Sequence, residues 1–140
     1  MRKSLETALK NLDSDKARLA ALHNMYAPGK IEVALRIVEL DPEDHDNVVD
    51  REVSHARYYA KPKSTGHKSF VPLGIKYIQK HYQELNYDGF SMQNDVIAWE
   101  NKDIADFAVQ FLVEKAVERS KSKEHNLAGA VNIIDHFKLP

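Results

Sequence analysis

The sequence predicts a mostly α-helical single domain, residues 1–140, folded as a compact bundle of five or six helices. Three observations carry that expectation. Apolar residues recur at three- and four-residue steps along most of the chain. Polar capping residues and Pro or Gly breakers separate those stretches. One stretch, 104–117, has ten apolar residues in fourteen, which suits a helix at the centre of a core. The alternative architecture is an α+β domain with short strands near 31–40 and 90–99.

The elements follow in order. Ser4 caps a first helix, and Leu5, Leu12, Leu19 and Tyr26 repeat along it at seven residues. Leu9 and Leu22 widen that stripe, while Asp13-Ser14-Asp15 interrupts it. One long helix to about Tyr26 and two short ones with Ser14 recapping both fit. Pro28-Gly29 ends the segment. In 31–40, Ile31, Ala34, Leu35 and Val38 fit a helix face, and Ile31, Val33, Leu35 and Ile37 fit an alternating strand nearly as well.

Asp41-Pro42-Glu43-Asp44 reads as a helix start, with Asp41 as the cap and Pro42 in the first helical position. The helix that follows presents Val49, Val53, Ala56 and Ala60 on one face. Residues 61–69 are polar and rich in breakers, and are expected to form an exposed loop. A helix then starts near Pro72, carries Ile75, Ile78, Tyr82 and Leu85 on one side, and ends at Asn86 and Asp88-Gly89. Residues 90–100 fit a short strand or a helical turn. Asp103 caps the apolar central helix, in which Phe107, Phe111 and Leu112 are expected to be almost wholly buried. A last helix carries Leu127, Ala130, Val131, Ile134 and Phe137, with Gly129 placed to allow a close helix crossing.

Composition removes several function classes. The hydrophobic fraction of 43% argues against wholesale disorder. Without cysteine there is no disulfide framework, thiol nucleophile or thiolate metal site. No apolar signal-peptide core follows Met1-Arg2-Lys3-Ser4, and no apolar run approaches a membrane span, so a cytoplasmic location is expected.

Net charge is only −1, but the signs are segregated. Residues 32–50 carry seven acidic residues and one basic, and 51–82 carry seven basic and one acidic. Residues 83–118 return to eight acidic against two basic. The basic block also holds Tyr58, Tyr59, Phe70, Tyr77 and Tyr82. Cations meet phosphates or carboxylates, and flat rings stack on unpaired bases. Arg57, Lys61, Lys63, Lys68, Lys76 and Lys80, with Tyr58 and Tyr77, are therefore the candidate polyanion-binding residues. Pairing of these lysines with the acidic flanks is the plainer reading of the same pattern.

The expected function is a small non-enzymatic binding or regulatory protein acting through a charged surface on nucleic acid or an acidic protein. No catalytic residue, metal ligand or cofactor is assigned. Two alternatives stand beside it. One is a metal-assisted helical enzyme acting on a phosphate compound around Glu52, His55 and His81, because Glu52-Val53-Ser54-His55 puts a carboxylate and an imidazole on one helix face. The other is a structural homo-oligomer built on the stripe Leu5, Leu12, Leu19 and Tyr26. Gly66-His67-Lys68-Ser69 lacks the first glycine of a phosphate-binding loop and has a histidine before the lysine, so nucleotide hydrolysis by that route is excluded.

Overall fold

The computed structural model describes residues 2–22, 28–59, 65–84, 87–118 and 123–140. Among them are seven helices and no strand, one helix more than the upper expectation. The chain divides into two compact units, Met1–Leu73 and Gly74–Pro140.

In the first unit, α1 (Arg2–Ala21) is one continuous helix through Asp13-Ser14-Asp15. Asp15 is buried within it, its carboxylate paired with Arg36 at 2.6 Å. Of the seven-residue stripe, Leu19 is buried and Leu12 half-buried; the Leu5 side chain and Tyr26 lie outside the described residues. α2 (Pro28–Leu40) settles the ambiguous segment as helix. Ile31, Ala34, Ile37 and Val38 form its buried face, and Val33 is buried as well. α1 packs on α2, and α2 on α3 (Val48–Tyr59).

The start of α3 corrects the sequence reading. Asp41 does not cap a helix at Pro42. The chain instead makes two successive turns, with the amide of Asp44 on the carbonyl of Asp41 and that of Asn47 on the carbonyl of Asp44. Asp44 and Asn47 are both left-handed, at φ 53° and 56°. These turns carry the buried Asp44 carboxylate under the true helix start, where it accepts from Val48 N at 2.7 Å and Val49 N at 3.0 Å. Asp44 thereby satisfies two first-turn amides that have no partner within the helix. Val48, Val49, Val53 and Ala56 are buried, and Ala60 lies outside the described residues. The segment 65–69 is not uniformly exposed, because Thr65 is buried.

α4 (Phe70–His81) begins two residues before Pro72. The boundary between the units falls within it. In the second unit, Ile78 and Tyr82 are buried. Asp88 does not end α4; it caps α5 (Gly89–Trp99), accepting from Phe90 N and Ser91 N. α5 overturns the strand reading of 90–99 and accounts for the extra helix, with Met92, Val96 and Trp99 inward. Asn101, rather than Asp103, caps α6 (Lys102–Glu118), its Oδ1 accepting from Ile104 N at 3.2 Å. The Asp103 side chain is exposed in the first turn.

α6 buries Ile104, Ala105, Ala108, Leu112 and Ala116, but Phe107 and Phe111 are only half-buried. Ile104, Leu112 and three alanines make the deep contact, and the phenylalanines lie at its margin, stacked at 5.7 Å. α7 (Lys123–Phe137) packs on α5 and α6. It is closed by Lys138 at φ 55° and a bond from Leu139 N to Ile134 O, the Schellman arrangement.

The α5–α7 contact depends on two glycines. A Cβ on Gly129 would lie 2.4 Å from the carbonyl oxygen of Gly89, and a Cβ on Gly89 would lie 2.2 Å from that of His125. Backbone meets backbone, so no side chain can swing aside. Gly129 thus makes the close crossing expected of it.

Gly129→Ala is expected to destabilise by about 1–3 kcal/mol net, overpacking outweighing a helix-propensity gain of about 1 kcal/mol. Gly29→Ala, with nothing within 4 Å of its Cβ, is expected to stabilise by up to about 1 kcal/mol. Urea melts that show the same sign for both would refute the assignment. Asp44→Ala is expected to cost about 2 kcal/mol, from the lost cap and a left-handed alanine. Asp44→Asn, which keeps an acceptor oxygen and tolerates that backbone, should lose clearly less in the same melts.

Candidate functional site

The first unit contains a cavity of about 490 Å³ lined by Lys16, Leu19, Ala20, Asp46, Val48, Arg51 and Glu52. Its geometry follows from helix periodicity. Residues 16, 19 and 20 share one face of α1, and 48, 51 and 52 share one face of α3. The turns between α2 and α3 add Asp46.

Beneath it is a buried ion pair. Lys30 Nζ of α2 lies 2.9 Å from Glu52 Oε1 of α3, with side-chain exposures of 3% and 1%. The other Glu52 oxygen is 3.4 Å from Arg51 Nε. Two charges this deep lose most of their hydration, and each is tolerated because the other compensates it. At the wetter margin Lys16 pairs with Asp46. The Asp46 carboxylate accepts a hydrogen bond from Lys16 and, with the charges of Asp13 and Asp41, raises the Lys16 pKa above the ordinary lysine range.

The same loop holds an exposed histidine clamp. His45 Nδ1 is 2.7 Å from Asp41 Oδ1, and its Nε2 is 2.9 Å from Glu43 Oε2. The hydrogen bond to Asp41 raises the imidazole pKa, helped by the nearby acids, and lowers the Asp41 carboxyl in return. In the second unit Asp88 binds His125 Nδ1 at 2.8 Å. Burial raises the Asp88 pKa, but hydrogen bonds from His125, Ser91 and Phe90 outweigh it and leave the carboxyl below its ordinary value.

The polyanion candidates are dispersed between the units. Arg57 is half-buried near the end of α3, and Lys68 is exposed in the turn before α4. The side chain of Tyr58, and Lys61 and Lys63 entirely, lie outside the described residues. In the second unit Lys76 is half-buried and Lys80 exposed, one turn apart on α4. Tyr77 between them packs on His81 at 4.2 Å and edge-on to Trp99 at 5.5 Å. For the metal alternative, Glu52 is engaged by Lys30, and His81 Nδ1 lies 2.9 Å from Glu84. His55 is half-buried on α3. Among the described residues no group of three or more His, Asp or Glu is arranged to hold a metal ion. Nor is any described helix long and apolar enough to cross a membrane.

Comparison with protein-family models, curated proteins and solved structures finds no match to this chain.

Sequence reasoning missed Lys30 and the cavity, although a signal was present. Glu52 fills the i+3 position of the face formed by Val49, Val53 and Ala56. Lys30 stands in line with Ala34 and Ile37 on α2. Opposite charges on two apolar faces mark helices that meet through a buried pair.

Lys30→Met alone is expected to cost about 3–5 kcal/mol in denaturant melts, because it strands a buried carboxylate. The double variant Lys30→Met/Glu52→Leu should recover most of that loss. Equal losses in the single and double variants would show that the pair is not buried as described.

Proposed function

We propose that this chain is a small non-enzymatic binding or regulatory protein that engages a polyanionic macromolecule, nucleic acid or an acidic protein, through its basic block. The observation that supports it best is the spacing of Lys76 and Lys80, one turn apart on α4, with Lys80 exposed. Lys68 adds an exposed cation shortly before that helix in sequence. The packing of Tyr77 on Trp99 and His81 favours contacts to phosphates or carboxylates over stacking on bases.

Salt dependence tests the reading. Each lysine–phosphate contact contributes about 0.7–0.9 to the slope of log K against log salt. Lys76→Ala/Lys80→Ala is therefore expected to weaken oligonucleotide binding and lower the slope by about 1.4–1.8, with sequence preference unchanged. The measurement is titration of labelled single- and double-stranded oligonucleotides at several salt concentrations. Absence of binding at low salt would leave an acidic protein as the target; binding indifferent to salt and to these lysines would sink the polyanion reading.

A further inference from the structure

We propose that the cavity of the first unit is a binding site for a small monocarboxylate with an apolar body. This site shares no residue with the lysines of α4 and does not depend on the polyanion reading. Its volume, about 490 Å³, lies within the range of small-molecule pockets. The lining has the division such a ligand requires, with Leu19, Ala20 and Val48 apolar and Lys16, Asp46, Arg51 and Glu52 charged.

The charge of the ligand follows from the pairing. Glu52 is neutralised by Lys30 from beneath, and Asp46 by Lys16. Arg51 is then the lining cation with the loosest carboxylate contact, so it is the group that can meet an anionic head. Only Nε of Arg51 faces Glu52, and at 3.4 Å that contact is long. Among the described residues no other acceptor engages this guanidinium. Its Nη groups can present the fork that binds a carboxylate through two parallel hydrogen bonds. A dianion is disfavoured, because the other lining cation, Lys16, is already held by Asp46 in the field of Asp13 and Asp41. A neutral apolar molecule would leave the charged side of the cavity dehydrated without recompense.

Asp46 sets the affinity from the other side. It is the carboxylate already on Lys16, with side-chain exposures of 48% and 38% for the pair. A ligand head group competes with it for the ammonium. Removal of the Asp46 charge should therefore tighten binding, whereas removal of the Arg51 charge should weaken it. A loss of fold lowers binding in any variant, so opposite signs separate a site from mere damage.

The test is a two-dimensional amide NMR titration of the full chain with decanoate, decanol and decyltrimethylammonium. Expected is saturable binding of decanoate alone, with shifts at Leu19, Val48 and Arg51. Arg51→Gln should weaken it roughly tenfold or more, the worth of a charge-assisted hydrogen bond. Asp46→Asn should strengthen it severalfold. If Arg51→Gln does not fold, Asp46→Asn decides by itself. No decanoate binding, equal binding of decanol, or an Asp46→Asn variant that binds no more tightly would overturn the proposal.

Discussion

The first unit depends on one arrangement, in which two opposite charges leave water together. Lys30 and Glu52 sit on the inner faces of α2 and α3, where an isolated charge would be intolerable. That requirement constrains more than the pair. α3 must present Glu52 inward at the depth of Lys30, which fixes its rotation about its own axis. The same rotation turns Val49, Val53 and Ala56 into the core and places Val48 and Arg51 on the cavity wall. The Asp44 cap then sets where the helix begins. The apolar face of α3 and the salt bridge agree on one rotation of that helix.

Much of the helical architecture was legible because it rests on spacing. α4 and α6 carry apolar residues at helical steps, and the structure turns many of them inward, whereas α2 fitted a strand nearly as well and Leu127 and Val131 on the expected face of α7 are exposed. α5 was ambiguous for a physical reason. Its inner face, Met92, Val96 and Trp99, also holds Asp95, whose carboxylate accepts from the Tyr87 hydroxyl at 2.7 Å. A buried acid on an inner face blurs the periodicity that would reveal it. Helix starts were misplaced where several acceptors compete. Asp41 and Asp44 both suit a cap, and only the two intervening turns decide between them. Asp103 and Asn101 pose the same choice at α6, decided for the residue outside the helix.

The site was much less legible. Charged residues belong to solvent by default, so Lys30 drew no attention, and Glu52 only as half of an E-x-x-H pair. Their partnership is between helices, and spacing within one helix cannot show it. The basic block was legible as composition, but composition does not say which cations are exposed. Lys80 and Lys68 are exposed, whereas Arg57 and Lys76 are half-buried. Tyr77 shows the same gap, since an aromatic beside lysines reads as a stacking platform until Trp99 and His81 are found against it.

The contact between Gly89 and Gly129 has a consequence for how this chain can change over time. A clash in a core is commonly relieved by shrinking the opposing side chain. Opposite Gly129 stands Gly89, already the smallest residue, and opposite Gly89 stand His125 and Asn126; in both cases the obstruction is peptide backbone. An enlargement at either position therefore has no second-site suppressor at the other. Any lineage that leaves glycine at 89 or 129 must move a whole helix in the same step, and that route demands repacking of the α5, α6 and α7 contacts together.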